Sequence, residues 1–259
     1  MPFADLKDAR IHYQLAGPEH AAVLIFSNSL GADLTMWDAQ AAEMAKTFRV
    51  LRYDKRGHGQ SSAPPGPYSI AHLGRDALAL LDFLHFDQVD FCGLSIGGQT
   101  GMWLGTNAPE RLKKLILSNT AAKIGTNDGW NQRIDTVRKE GMKVVASAVI
   151  ERWFTPGFRA KEPSIVSKIQ RVLESVNPEG YAGCCAAVRD FDAREKLGGI
   201  RTPTLVLAGT HDPATTAIEG RWIAQQIRES KYAELDAAHL SNIEAREVFT
   251  AEIRKFLAA

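Results

Sequence analysis

Gly93-Leu94-Ser95-Ile96-Gly97 sets a serine between two glycines, directly after the apolar run Val89–Cys92 and before a helical pattern. G-x-S-x-G between a strand and a helix is the pattern of a nucleophile elbow: the glycines remove side chains that would clash in a sharp turn, and the hydroxyl is left accessible. A serine hydroxyl is a weak nucleophile at neutral pH and needs a base beside it. Of the seven histidines, only His211 and His239 follow the long helical stretch described below. His239, in Asp236-Ala237-Ala238-His239-Leu240, lies just after the last strand-like run and is the expected base. The acid that orients it belongs after the run Thr204–Ala208, where Asp212 stands in Gly209-Thr210-His211-Asp212-Pro213. Asp190, Asp192 and Asp236 are rivals, the first two inside the helical stretch and the third three residues from His239. His211, beside the acid, is expected to shape that loop rather than to serve as base.

Acyl transfer also needs donors for the oxyanion that develops. The N–H of Ile96, next after the serine, is one; Leu30 in Asn28-Ser29-Leu30-Gly31 is the expected second, with Gly31 giving that loop its freedom. Tyr53-Asp54-Lys55-Arg56-Gly57-His58-Gly59-Gln60-Ser61 invites comparison with a phosphate loop but has neither GxxxxGK nor GxGxxG spacing. It reads as a structural turn in which Asp54 and Arg56 fix a loop. There is no H-E-x-x-H and no Cys/His cluster of zinc-like spacing, so no metal is called for.

The elements that must position these residues alternate. Phe3–Leu6 and Arg10–Ala16 read as a hairpin across Lys7–Asp8. Short apolar runs at Ala21–Ser27, Arg49–Tyr53, Val89–Gly93, Leu115–Ser118 and Thr204–Ala208, with a weaker one at Tyr232–Leu235, suit strands buried on both faces of a parallel sheet. Helical spacing fills Ala39–Lys46, Ser69–Leu84 and Gly97–Asn107, most clearly at Leu78, Leu81 and Leu84. Strand and helix in alternation predict an α/β fold. From about Ala122 to Leu197 the pattern is mainly helical, with breaks at Thr155-Pro156-Gly157 and Asn177-Pro178. That is too long for an ordinary connection and predicts a helical cap, residues 122–197, inserted into a core of residues 1–121 and 198–259.

Composition sets the outer bounds. The chain has 259 residues, 45% apolar and 24% charged, which excludes a disordered chain, a collagen-like repeat and a coiled coil. With 31 Lys plus Arg against 30 Asp plus Glu the net charge is +1, so nothing draws it broadly to nucleic acid. Three cysteines, two of them adjacent, make no disulfide framework. MPFADLKDAR lacks the apolar core of a signal peptide, and no uncharged apolar run approaches the ~20 residues of a membrane span. The expectation is a soluble cytoplasmic protein with a small-molecule substrate; its oligomeric state is open.

These residues together resemble the α/β-hydrolase superfamily over nearly the whole chain. RYDKRGHGQSS is similar to its turn after the fourth strand, GLSIGG to its elbow, GTHDPAT and AAHLSNIE to its acid and histidine loops. Within it the chain resembles the 3-oxoadipate enol-lactonase family, also through Leu117-Ser118-Asn119-Thr120-Ala121-Ala122-Lys123-Ile124-Gly125 entering the cap. Asn28-Ser29 stands where many superfamily members carry His-Gly, a change that a backbone donor survives. Serine at position 95 argues against a haloalkane dehalogenase, whose elbow carries aspartate.

The resemblance implies a mostly parallel eight-stranded sheet flanked by helices with a helical cap. It implies cofactor-free hydrolysis of an unsaturated lactone bearing a carboxymethyl arm, in bacterial breakdown of aromatic compounds through the β-ketoadipate pathway. Ser95, Asp212 and His239 would form the triad, with Leu30 and Ile96 as oxyanion donors. The carboxylate needs a cation: Trp130, Arg133, Arg138, Trp153 and Tyr181 lie in the expected cap, and Arg133 follows Trp130 at i,i+3 spacing on one helix side. Arg133 is the expected clamp, Arg138 its alternative, with Trp130 and Trp153 walling the pocket. A carboxylesterase, a carbon–carbon bond hydrolase, a perhydrolase or a non-catalytic receptor on this scaffold remain the competing readings.

Overall fold

The structure, a computed structural model, describes residues 2–259. Among them, β1 (Phe3–Asp5), β2 (Arg10–Ala16), β3 (Val23–Ser27), β4 (Arg49–Tyr53), β5 (Val89–Leu94), β6 (Leu112–Ser118), β7 (Thr204–Gly209) and β8 (Lys231–Leu235) form one sheet in the order β1-β2-β4-β3-β5-β6-β7-β8. The opening hairpin is antiparallel and β2 joins β4 antiparallel; every later pairing is parallel. This is the eight-stranded, mostly parallel sheet expected.

β3, β5 and β7 are buried along their whole length, which is why they read as unbroken apolar runs. Alternation along each strand feeds two cores. Leu24 and Phe26 of β3 enter one, while Val23 and Ile25 enter the other. α2 (Ile70–Phe83) and α3 (Ile96–Asn107) pack on each other. Ala77, Leu80 and Leu81 of α2 and Met102 and Leu104 of α3 supply the second core. α1 (Asp38–Met44) and the final helix, Arg246–Ala258, complete the first.

Five of the described α-helices lie between β6 and β7: α4 (Asn127–Glu140), α5 (Lys143–Trp153), α6 (Pro156–Lys161), α7 (Pro163–Ser175) and α8 (Pro178–Asp190). The last three each begin on a proline, whose missing N–H costs nothing in a first turn. Thr155 and Asn177 cap α6 and α8 by accepting from the N–H groups of Phe158 and Gly180. Breaks thus fall at both expected places, and Gly141, at φ +82°, and Glu162–Pro163 add two more. After β7 come α9 (Ala217–Gln226), β8, α10 (Ser241–Glu244) and α11 (Arg246–Ala258).

β3 lies between β4 and β5, so the chain leaves it first to one side and then to the other. Loops after β3 and β5 therefore diverge, and the crevice between them is where an open α/β sheet binds ligands. Among the described residues no helix is long and apolar enough to cross a membrane.

Candidate active site

Ser95 occupies the turn from β5 to α3 at φ +61°, ψ −118°, a conformation that non-glycine residues rarely hold. The elbow is tight enough to need both glycines. A Cβ on Gly93 would lie 2.1 Å from the Gly97 carbonyl oxygen, and one on Gly97 would lie 2.2 Å from that of Ser27. Neighbouring β6 holds the turn: Ser95 N–H donates to the Ser118 carbonyl at 3.0 Å, and Thr120 Oγ1 donates to the Ser95 carbonyl at 2.8 Å.

His239 and Asp212 arrive from the loops after β8 and β7, and both are buried. Their contact, Nδ1 to Oδ2, is 2.8 Å. Asp212 is saturated with donors. Its Oδ1 accepts from the N–H groups of Ala214 at 2.8 Å and Thr215 at 3.0 Å, and its Oδ2 from Thr215 Oγ1 at 2.7 Å and Asn119 Nδ2 at 3.1 Å. Burial pushes this carboxyl up, yet the His239 imidazole and the Thr215 donors outweigh it and hold it down at about 2. Asp212 is thus a carboxylate at every working pH.

Sequence reasoning passed over Asn119 as part of the site. At φ +42° it follows β6, donates to both Asp212 and the Ala238 carbonyl (3.1 Å), and accepts from Ser241 Oγ at 2.5 Å. One amide therefore ties the acid loop to the histidine loop. The rivals lie elsewhere: Asp190 pairs with Arg189, Asp192 with Arg194, and Asp236 with the exposed His211 at 2.8 Å.

Ser95 and His239 open onto one cavity of about 380 Å³, whose lining also holds Ser29, Leu30, Trp130, Arg133, Arg152 and Trp153. Among the described residues the N–H groups of Leu30 and Ile96 have no acceptor within the chain, as an oxyanion hole requires. The loop after β3 that carries Leu30 is braced by the turn after β4. Leu34 N–H donates to Asp54 Oδ1 at 2.7 Å, and Gly31 N–H to His58 Nε2 at 2.9 Å. Arg56 instead holds Asp76 of α2 through two 2.6 Å bonds. The turn is structural, as its spacing suggests, with more anchors than the two expected.

The inserted helices supply the cavity's cations. Arg133 lies over the Trp130 ring at 5.2 Å, and the indole is fixed by its bond to the Ile124 carbonyl at 2.7 Å. Arg152, on α5 beside Trp153, is the second guanidinium and is absent from the sequence expectation. Burial and the facing Arg133 lower its proton affinity. Neither enters a salt bridge among the described residues, whereas Arg138 pairs with the exposed Glu179 at 3.1 Å and does not line the cavity. Two guanidiniums that have no carboxylate partner among the described residues and face one small cavity suit an anionic ligand.

A family model for the α/β-hydrolase fold matches residues 22–146. Over 94% of its length the chain is 44% identical to 3-oxoadipate enol-lactonase 2 of Acinetobacter baylyi, covering 91% of that protein. The chain belongs to the α/β-hydrolase family. A second Acinetobacter baylyi relative, 3-oxoadipate enol-lactonase 1, is 41% identical over 91% of this chain and 88% of its own. Among solved structures, the enol-lactonase from Burkholderia xenovorans LB400 superposes with a TM-score of 0.98 at 45% identity, covering all of both chains. The α/β-hydrolase elbow, acid loop and histidine loop thus sit in a chain similar to enol-lactonases from end to end.

Proposed function

We infer that this chain is a 3-oxoadipate enol-lactonase, a carboxylic-ester hydrolase that opens the lactone to 3-oxoadipate. The observation that carries this reading is the meeting, at one cavity, of Ser95, His239 with its bond to Asp212, and two guanidiniums that have no carboxylate partner, within a chain 44% identical to such an enzyme.

In this reading Ser95 Oγ attacks the ring carbonyl while His239 Nε2 takes its proton, and Asp212 keeps Nδ1 protonated and supports the imidazolium that forms. Leu30 and Ile96 N–H groups receive the oxyanion. Collapse of the tetrahedral intermediate breaks the ring C–O bond. The departing oxygen is an enolate, a better leaving group than a saturated alkoxide; it takes back the proton held by His239, which returns to neutral imidazole, and the enol tautomerises to the 3-oxo group. Water, deprotonated by His239, then cleaves the acyl-enzyme, so one lactone and one water give one 3-oxoadipate. Arg133 and Arg152 hold the carboxymethyl carboxylate, and Trp130 and Trp153 wall the ring. Residues 122–197 act as the cap on a core of residues 1–121 and 198–259. Three free, buried cysteines suit a cytoplasmic enzyme.

The test is parallel turnover of the enol-lactone, simple aryl esters and a vinylogous diketone by purified protein. The enol-lactone is expected to lead in kcat/KM by about a hundredfold or more, the scale set by a charge-assisted contact the neutral esters lack. Faster turnover of the diketone would make the protein a carbon–carbon bond hydrolase, and a single slow turnover on all three would make it a receptor.

A further inference from the structure

Beneath the loop that carries Leu30 lies a buried lysine. Lys55, in the turn after β4, is 3% exposed, and its Nζ donates to the Ser29 carbonyl at 2.7 Å. The nearby carboxylates are engaged elsewhere. Asp54 accepts from His12 Nδ1 and the Leu34 N–H, both at 2.7 Å, and from the Gln60 N–H at 3.0 Å; Asp33 accepts from the N–H and hydroxyl of Thr35. Among the described residues Lys55 enters no salt bridge. Burying a cation with no carboxylate in contact is costly, and an apolar side chain of similar length would fill the space without that cost.

The recipient of its charge gives the lysine a use. The Ser29 carbonyl and the Leu30 N–H belong to one peptide group. A cation on the oxygen draws electron density through the conjugated amide and leaves the N–H more positive. His58 of the same turn accepts from the next N–H, that of Gly31, so both flanks of Leu30 are pinned from below.

We propose that Lys55 is a positioning residue for acyl transfer, its ammonium polarising the Ser29–Leu30 peptide so that the Leu30 N–H becomes a stronger oxyanion donor. This rests on the oxyanion role given to Leu30 above. It adds a charge to the site that never touches substrate. Because it acts on the oxyanion alone, it lowers the barrier to the chemical step and leaves ground-state binding nearly unchanged.

The charge is also titratable. Burial lowers Lys55 to about 8, against the opposing pull of the Asp54 carboxylate of its own turn and the Asp33 carboxylate from the loop after β3; the Cys184 thiol of α8 is its other titratable neighbour. Lys55 in turn adds to the burial that keeps His58 well below the ordinary histidine range, so His58 is neutral and able to accept. Burial raises the Cys184 thiol to about 12, and it stays protonated while Lys55 titrates. Above pH about 8 the lysine becomes a neutral amine that can still bond Ser29 but no longer polarises it.

The experiment compares wild type with Lys55→Met on the enol-lactone and on an uncharged aryl ester from about pH 6.5 to 10, with Tm measured alongside. At pH 7 the substitution is expected to lower kcat about tenfold on both substrates, less than loss of a whole oxyanion donor, with KM nearly unchanged and Tm no lower. Wild-type kcat is expected to fall through about pH 8 to a plateau near the variant's level, while the variant stays flat there. Unchanged kcat, the same alkaline fall in both proteins, or a kcat loss matched by a fall in Tm would overturn the proposal. Should Lys55→Met fail to fold, the wild-type profile decides, since no fall in kcat between pH 7 and 10 contradicts it. If the aryl ester shows these effects while the enol-lactone is not turned over, the proposal stands and the lactonase reading falls.

Discussion

Asp212, the acid of the proposed triad, owes its charge to its donors. Its carboxylate is held at about 2 by His239 and Thr215 against the opposing effect of burial. Asp212→Asn keeps the shape but offers an amide where Nδ1–H needs an acceptor, so the imidazole settles in the wrong tautomer. A loss of roughly a thousandfold or more in kcat is expected, with KM little changed. The same depression makes a stability statement. A folded carboxyl held below its ordinary value adds stability that is fully present above about pH 4 and is lost as pH falls towards 2. The urea midpoint of wild type should therefore exceed that of Asp212→Asn at pH 6, and the gap should close on approaching pH 2; a gap independent of pH would contradict the assignment. The placement of Ser95, His239 and Asp212 at neighbouring strand ends was legible because an elbow motif and strand-end loops are local features. Arg152 was not, since a lone arginine beside a tryptophan looks like any solvated cation until the helices bring it opposite Arg133.

Between elements, the working parts are side chains that join loops from different strands. Asn119 links the ends of β6, β7 and β8 through Asp212, Ala238 and Ser241. Asn119→Ala should slow kcat by about tenfold or more, because the acid and histidine loops lose their common donor. Its KM should move little, and Asn119→Asp, which keeps the acceptor but adds a second negative charge beside Asp212, should be worse. Equal rates in wild type and Asn119→Ala would remove the residue from the site. The central strands were readable from sequence because burial on both faces leaves no polar alternation. The number of inserted helices was not, because Gly141 and Glu162–Pro163 are weaker local signals than Thr155-Pro156-Gly157. The bonds from Asp54, Lys55 and His58 to the loop after β3 were out of reach as well, for they depend on β3 and β4 being neighbours in the sheet.

At the scale of the molecule, Ser95 stands at the end of a sheet strand and the cavity's guanidiniums on the inserted helices, so in the proposed reading selectivity and chemistry come from different layers. Arg133→Ala and Arg152→Ala should each depress kcat/KM on the carboxylated enol-lactone by roughly ten- to a hundredfold while scarcely affecting an uncharged aryl ester. Equal losses on both substrates would mean a packing defect instead. The central claim, that Ser95 opens the ring by forming a covalent ester, has a direct signature. A lactone's leaving group stays tethered to its acyl carbon, so the acyl-enzyme keeps every atom of the substrate. Rapid mixing with the enol-lactone, acid quenching and intact-mass measurement should reveal an adduct equal to the whole lactone, mapped to the peptide containing Ser95 and missing from Ser95→Ala, which should not turn over. Full turnover by Ser95→Ala, or an adduct on any other residue, would contradict the account.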